Sequence, residues 1–93
     1  MSTTEGKTMS YKFHADAAHG WLEVPLGDCE ALGLKPSNFS RYSYRLGDTL
    51  YLEEDRDLSV FMNAHKAANG EGPKIIEGPY VQNSPIREME RVQ

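Results

Sequence analysis

Two imidazoles and a carboxylate fall within six consecutive residues in His14-Ala-Asp16-Ala-Ala-His19. A catalytic zinc or similar divalent ion takes three such nitrogen and oxygen ligands and keeps one position open. His14, Asp16 and His19 are therefore the candidate metal ligands of the chain. Nothing elsewhere in the pattern obliges a fourth ligand, and imidazoles in turns also hydrogen-bond the backbone. Without a metal, His14 and Asp16 form an acid–base pair. No nucleophile converges on them, because Cys29, the single cysteine, falls on an expected helix face and packs there as a small apolar residue. The expectation is a non-enzymatic chain with no catalytic residue, no metal and no cofactor, and a metal-dependent enzyme built on this loop is the alternative. Gly6-Lys7-Thr8 does not make a phosphate loop, since Met1 stands where the motif needs glycine. No Gly-x-Gly-x-x-Gly joins a strand to a helix either, so a dinucleotide site is not expected.

The acidic run Glu53-Glu54-Asp55-Arg56-Asp57 is the second candidate. Residues 48–57 hold five acids against one base, while acids and bases balance over the rest, so the net charge of −4 sits in this one segment. Its carboxylates serve either as a helix N-terminal turn that offsets the macrodipole or as a recognition patch for a basic surface. Calcium is a poor fit, because the mid-loop glycine of an EF-hand is absent. Trp21, Tyr42, Tyr44 and Tyr51 are either cross-strand partners or, where exposed beside the acids, interface anchors. The expected partner-binding set is Glu53, Glu54, Asp55, Asp57, Tyr42, Tyr44, Tyr51 and Trp21. No basic stripe accompanies the aromatics, so direct nucleic-acid binding is not expected. Ser84-Pro85-Ile86-Arg87 is a compact motif near the end of the chain, in which Arg87 either pairs with the acidic segment or is an exposed tail arginine.

The elements that position these residues can be read from periodicity and turn chemistry. Residues 1–10 are small and polar, without an apolar period, and read as a flexible tail. Tyr11 and Phe13, then Leu22 and Val24, alternate in two short strands around the His/Asp loop, and Pro25 ends the second. Asp28 stands at a helix N-cap position ahead of Cys29, Leu32 and Leu34, with Gly33 as the stop. Tyr42-Ser-Tyr, Leu46-Gly47-Asp48 and Thr49-Leu-Tyr-Leu form a β-hairpin. Asp57 caps a helix carrying Leu58, Phe61, Met62 and His65 at helical spacing, which Asn69-Gly70 ends. Lys74-Ile-Ile-Glu is a last strand, and residues 88–93 read as a C-terminal tail. The order ββαββαβ defines an α+β single domain over residues 11–87, with an antiparallel or mixed sheet and two helices on one face.

The chain has 93 residues, enough for one core and too few for two. One cysteine forbids an internal disulfide and suits a reducing cytoplasm. No apolar run reaches the roughly 18 residues of a membrane span, and the N-terminus lacks the apolar centre of a signal peptide. A soluble, unexported protein is expected.

Phe13-His-Ala-Asp, His19-Gly-Trp-Leu-Glu-Val-Pro, Tyr42-Ser-Tyr, Gly47-Asp-Thr-Leu-Tyr-Leu-Glu-Glu-Asp and Ser84-Pro-Ile-Arg together cover roughly residues 11–87. As a set they resemble a family of small uncharacterised proteins carried by bacteriophages, plasmids and other bacterial mobile elements. The chain departs from that pattern at Asp55-Arg56-Asp57, where the family carries a small or thiol residue between the acids. The resemblance implies an accessory protein in the cytoplasm of a bacterial host. It implies binding and inhibition of a host protein with a basic surface, including anti-CRISPR or anti-restriction action on a nucleic-acid-binding defence complex. In that mechanism Glu53, Glu54, Asp55 and Asp57 cover the target's Lys and Arg, and neutralising all four removes binding while leaving the fold intact. A homodimeric regulatory or structural module, paired through an edge strand, is the third reading.

Overall fold

The computed structural model describes residues 10–82 and 84–92; the expected N-terminal tail, apart from Ser10, lies outside them. The chain runs β1 (Ser10–Ala15), β2 (Gly20–Pro25), α1 (Leu26–Ala31), a 3₁₀ turn (Pro36–Asn38), β3 (Tyr44–Leu46), β4 (Thr49–Glu53), α2 (Asp57–Asn69), β5 (Lys74–Tyr80), a second 3₁₀ turn (Pro85–Glu88) and β6 (Glu90–Arg91). The six strands form one sheet in the order β5-β1-β2-β4-β3-β6. All neighbours are antiparallel except β1 and β5, which are parallel. A parallel strand needs a crossover, and α2 supplies it by carrying the chain from β4 past β2 and β1 to the far edge. This is the expected mixed α+β sheet, with one strand more than the sequence indicates.

Alternation sorts the strands into two faces. The pairs Phe13–Leu22, Leu22–Leu52 and Val24–Leu50 stand directly opposite one another. With Tyr11 they form the face that packs on Cys29 of α1, Phe39 and Phe61 of α2. Position 20 falls on this face opposite Ala15, and it is glycine because a Cβ there would overlap the Phe13 ring. The opposite parity places His14, Trp21 and Glu53 in one row across the sheet, and Glu23, Tyr51, Tyr44 and Arg91 in the next. These residues occupy the face away from the helices.

Local chemistry explains most boundaries. Leu46 pairs with Thr49 across Gly47-Asp48, and Gly47 takes φ +60° at the position where a two-residue hairpin demands positive φ. α2 ends on Gly70 in the left-handed conformation, as expected. α1 begins one residue after Pro25 rather than at Asp28. Asp28 lies within its first turn and accepts the Tyr11 hydroxyl at 2.7 Å. Residues beyond 87 are not simply a tail: β6 pairs with β3 and Val92 is buried in the core. Among the described residues no helix is long and apolar enough to cross a membrane.

Candidate binding cleft

The face away from the helices is built up around Trp21. This residue lies on the central strand β2 opposite Glu53 and is only 2% exposed. Tyr44 meets its ring edge-on at 6.1 Å, and His19 lies tilted at 5.9 Å. Two guanidinium groups cover these aromatics, Arg87 at 5.7 Å from the Trp21 ring centre and Arg91 at 4.9 Å from that of Tyr44, within the range of cation–π attraction.

Arg87 is positioned by the Ser84-Pro85 turn. The Ser84 hydroxyl accepts the Ile86 N–H at 3.2 Å, and Ile86 is buried. The guanidinium then grips Asp16 with Nε at 2.6 Å from Oδ2 and Nη2 at 3.0 Å from Oδ1, a bidentate geometry that suits arginine. Asp16 also accepts the N–H groups of Ala18, His19 and Ser84. Arg87 therefore pairs with Asp16 rather than with the acidic segment, and ties the chain's end to the β1–β2 loop.

That commitment divides the expected metal loop. Asp16 is occupied by Arg87 and three backbone donors, while His14 Nε2 pairs with Glu23 Oε1 at 2.7 Å. His19 packs on Trp21. Among the described residues no group of three or more His, Cys, Asp or Glu side chains is placed to hold a metal ion, so His14, Asp16 and His19 do not form the candidate centre that their spacing suggests.

The Arg87 guanidinium, followed by the backbone N–H groups, holds the Asp16 carboxyl well below the usual carboxylate range despite its burial. A carboxylate whose folded-state value is depressed contributes stability above its unfolded value, near pH 4, and loses it as pH falls toward the folded value. Asp16→Asn is expected to melt below wild type at pH 7. In thermal melts recorded from neutral pH into acid the gap is expected to begin narrowing below about pH 4, as the unfolded chain takes up a proton on Asp16 that the folded chain still refuses. A gap that does not change with pH would remove the ion pair from this account.

Asp57 organises the opposite wall. It is fully buried at the first position of α2, with Arg56 rather than Asp57 at the N-cap. Its Oδ2 accepts the Ser40 N–H and hydroxyl, both at 2.8 Å, and the Ser43 hydroxyl, while Oδ1 takes Arg56 Nη1 at 2.8 Å. Ser43 Oγ in turn accepts the Glu53 N–H at 2.9 Å, and Ser40 Oγ accepts the Tyr42 N–H at 3.2 Å. The loop from Ser40 to Ser43 thus hangs from one carboxylate. It presents Tyr42 to solvent at 57% exposure, with Arg41 beside its ring.

Between these walls opens a cleft of about 470 Å³, within the size range of ligand pockets. Five of the eight residues expected to bind a partner line it: Trp21, Tyr42, Tyr44, Glu53 and Asp55. Three are placed elsewhere. Asp57 is internal and cannot meet a partner. Glu54 is exposed, its N–H bonded to Gly20 O at 3.0 Å. Tyr51 lies along the same sheet face beside His14, its hydroxyl pushed up in pKa by burial and then by Glu23. Glu53 is buried too. Its Oε2 accepts the Asp55 N–H at 3.0 Å, but burial, and then the Asp55 charge, raise its pKa from the ordinary value. Cys29 is buried behind the sheet with its thiol pushed up to about 12, by burial first and then by Asp28 and Glu30, so it is no nucleophile.

The gathering of three arginines around the cleft is not legible in the sequence. Arg56, Arg87 and Arg91 all line the cleft, although no basic stripe is visible along the chain. Arg87 carried a signal in its compact Ser-Pro-Ile-Arg motif; Arg91, on a two-residue strand, carried none.

The fold and cleft define a class, a small α+β domain with one aromatic, arginine-rimmed cleft on the open face of a mixed sheet. Set against known proteins, the chain matches no family model, no curated protein and no solved structure.

Proposed function

We propose that the chain is a small non-enzymatic binding protein that docks on a partner protein through its cleft face. Following the mobile-element resemblance, we take the partner to be a bacterial host protein that it inhibits or modulates, with a nucleic-acid-binding defence complex as the leading class. The observation that carries this reading is the gathering of Trp21, Tyr42, Tyr44, Glu53 and Asp55 from separate parts of the chain around one cleft. Tyr42 on the rim is the aromatic anchor, and the exposed carboxylates of Glu54 and Asp55 meet Lys or Arg of the partner. Asp57 has no part in the contact, so the acidic surface is smaller than the run of acids suggests.

Photocrosslinking from position 42 in bacterial cells tests the reading. A single partner is expected, crosslinked through a Lys/Arg-rich peptide and lost when Glu54→Lys and Asp55→Lys are introduced into a chain of unchanged melting temperature. Crosslinking indifferent to that charge reversal would sink the electrostatic mechanism. The homodimeric reading draws on the outer edge of β5, where Ile75 and Ile76 are exposed; a mass that rises with protein concentration, together with a crosslink from position 75 into a second copy, would favour self-association instead.

A further inference from the structure

We infer that the cleft is a binding site for a small organic anion, a carboxylate or phosphate carried on a flat ring. The inference goes beyond the docking reading and does not rest on it, since Tyr42, Glu54 and Asp55 can hold a partner at the rim whether or not the cleft is filled.

Three features set the sign of the ligand. First, the carboxylates nearest the arginines are already committed: Asp16 is gripped by Arg87 and Asp57 by Arg56. Second, Arg91 has no carboxylate partner among the described residues. Its Nη1 donates to Arg41 O at 2.6 Å, and its guanidinium lies over Tyr44. Of the five N–H donors of a guanidinium, Arg56 and Arg91 each direct one to a protein acceptor through the side chain, and Arg87 directs two, both to Asp16. Donors therefore remain around a single opening, where a charge-assisted hydrogen bond to an oxyanion is favourable. Third, the indole N–H of Trp21 is buried with no acceptor among the described residues. An acceptor that reached this N–H would satisfy it, and an anion carries acceptors where a cation brings only donors.

The opposing group is limited. Asp55 is the exposed carboxylate of the lining, while Glu53 is buried with its Oε2 engaged by the Asp55 N–H. The walls set the shape of the ligand body. Tyr44, half-buried beside Trp21, offers ring surface against which another ring can lie, and the volume of about 470 Å³ accommodates a single-ring compound with its anionic group.

Trp21 is the only tryptophan in the chain, so its fluorescence reports on this wall in the purified protein, with no partner needed. The titrants are benzoate, phenyl phosphate, inorganic phosphate and benzamidine, a cation on the same ring. Benzoate or phenyl phosphate is expected to change the emission saturably and more tightly than inorganic phosphate, and the stronger of the two distinguishes a carboxylate from a phosphate source. Arg91→Gln is expected to weaken that binding about tenfold or more. In the wild type the affinity should fall as sodium chloride is raised from about 0.05 to 0.5 M, a measurement that needs no variant. Saturation by benzamidine as tight as by the anions would overturn the inference. So would salt-independent binding, an Arg91→Gln chain that folds and binds like wild type, or no saturation by either anion up to about 10 mM, where fragments of this size still register. Failure of this titration leaves the crosslinking result untouched, and the reverse also holds.

Discussion

Replacing Asp57 by alanine is expected to destabilise the domain by about 2–5 kcal/mol, because buried donors that lose their acceptor cost about 1–3 kcal/mol each. The carboxylate is fully buried. It accepts two donors from Ser40, one from Ser43 and one from Arg56. Its removal leaves the Ser40 N–H and the Ser43 hydroxyl without their acceptor and releases the loop that carries Tyr42. Against a total stability of about 5–15 kcal/mol for a domain of this kind, such a loss brings the chain close to unfolding. Urea denaturation at neutral pH measures it directly through the midpoint and slope. Glu54→Gln, on an exposed side chain, is expected to stay within about 0.5 kcal/mol of wild type. If Asp57→Ala were as mild as Glu54→Gln, the carboxylate would be a surface group after all. The same geometry corrects the expectation that neutralising Glu53, Glu54, Asp55 and Asp57 together leaves the fold intact. That fourfold change removes a structural acceptor, and loss of partner binding in such a chain would report unfolding. Charge changes confined to Glu54 and Asp55 separate the two effects.

How far the sequence could be read follows from the range over which each signal acts. The Gly47-Asp48 hairpin and the Gly70 stop of α2 are local, set by φ requirements that few residues meet, and both are where the residues place them. The two faces of the sheet were legible as alternation, including Tyr11, Phe13, Leu22 and Val24. Asp57 was legible as a helix-start residue but not as a buried one, because an acid beside a helix N-terminus looks the same whether it faces water or a pair of serines 14 and 17 residues away. Asp16 and Arg87 were each noticed, yet their pairing spans 71 residues, and no periodicity carries that distance. β6 was missed because Glu90-Arg91 is too short to alternate and has neither β-branched nor aromatic residues. With it went Arg91 and the third guanidinium of the cleft. The arginines approach one another only once the chain's end returns across the open face of the sheet.

The helix-covered face gives the second large effect. Phe61→Ala is expected to cost about 3–5 kcal/mol, the range for emptying a buried phenylalanine site. Phe61 is fully buried on α2, meets Tyr11 edge-on at 5.1 Å and an interplanar angle of 87°, and lies 6.0 Å from the His65 ring. It thus joins the crossover helix to β1. The nearby His65 Nδ1 is engaged with Glu71 O at 3.0 Å, while its Nε2 is buried with no partner among the described residues. One such nitrogen is too few for a water, which needs about two to four polar partners, so the gap stays dry and the upper part of the range is expected. Phe61→Leu, which refills most of the volume, is expected to cost about 1–1.5 kcal/mol. Urea unfolding ranks the three chains, and a Phe61→Ala variant as stable as Phe61→Leu would mean the core repacks around the gap. Phe61 lies on the opposite side of the sheet from Trp21, so a Phe61→Ala chain, cooled until folded, should keep the fluorescence response to aromatic anions. Asp57→Ala, whose damage falls on the cleft wall itself, should lose that response even under conditions where the fold survives.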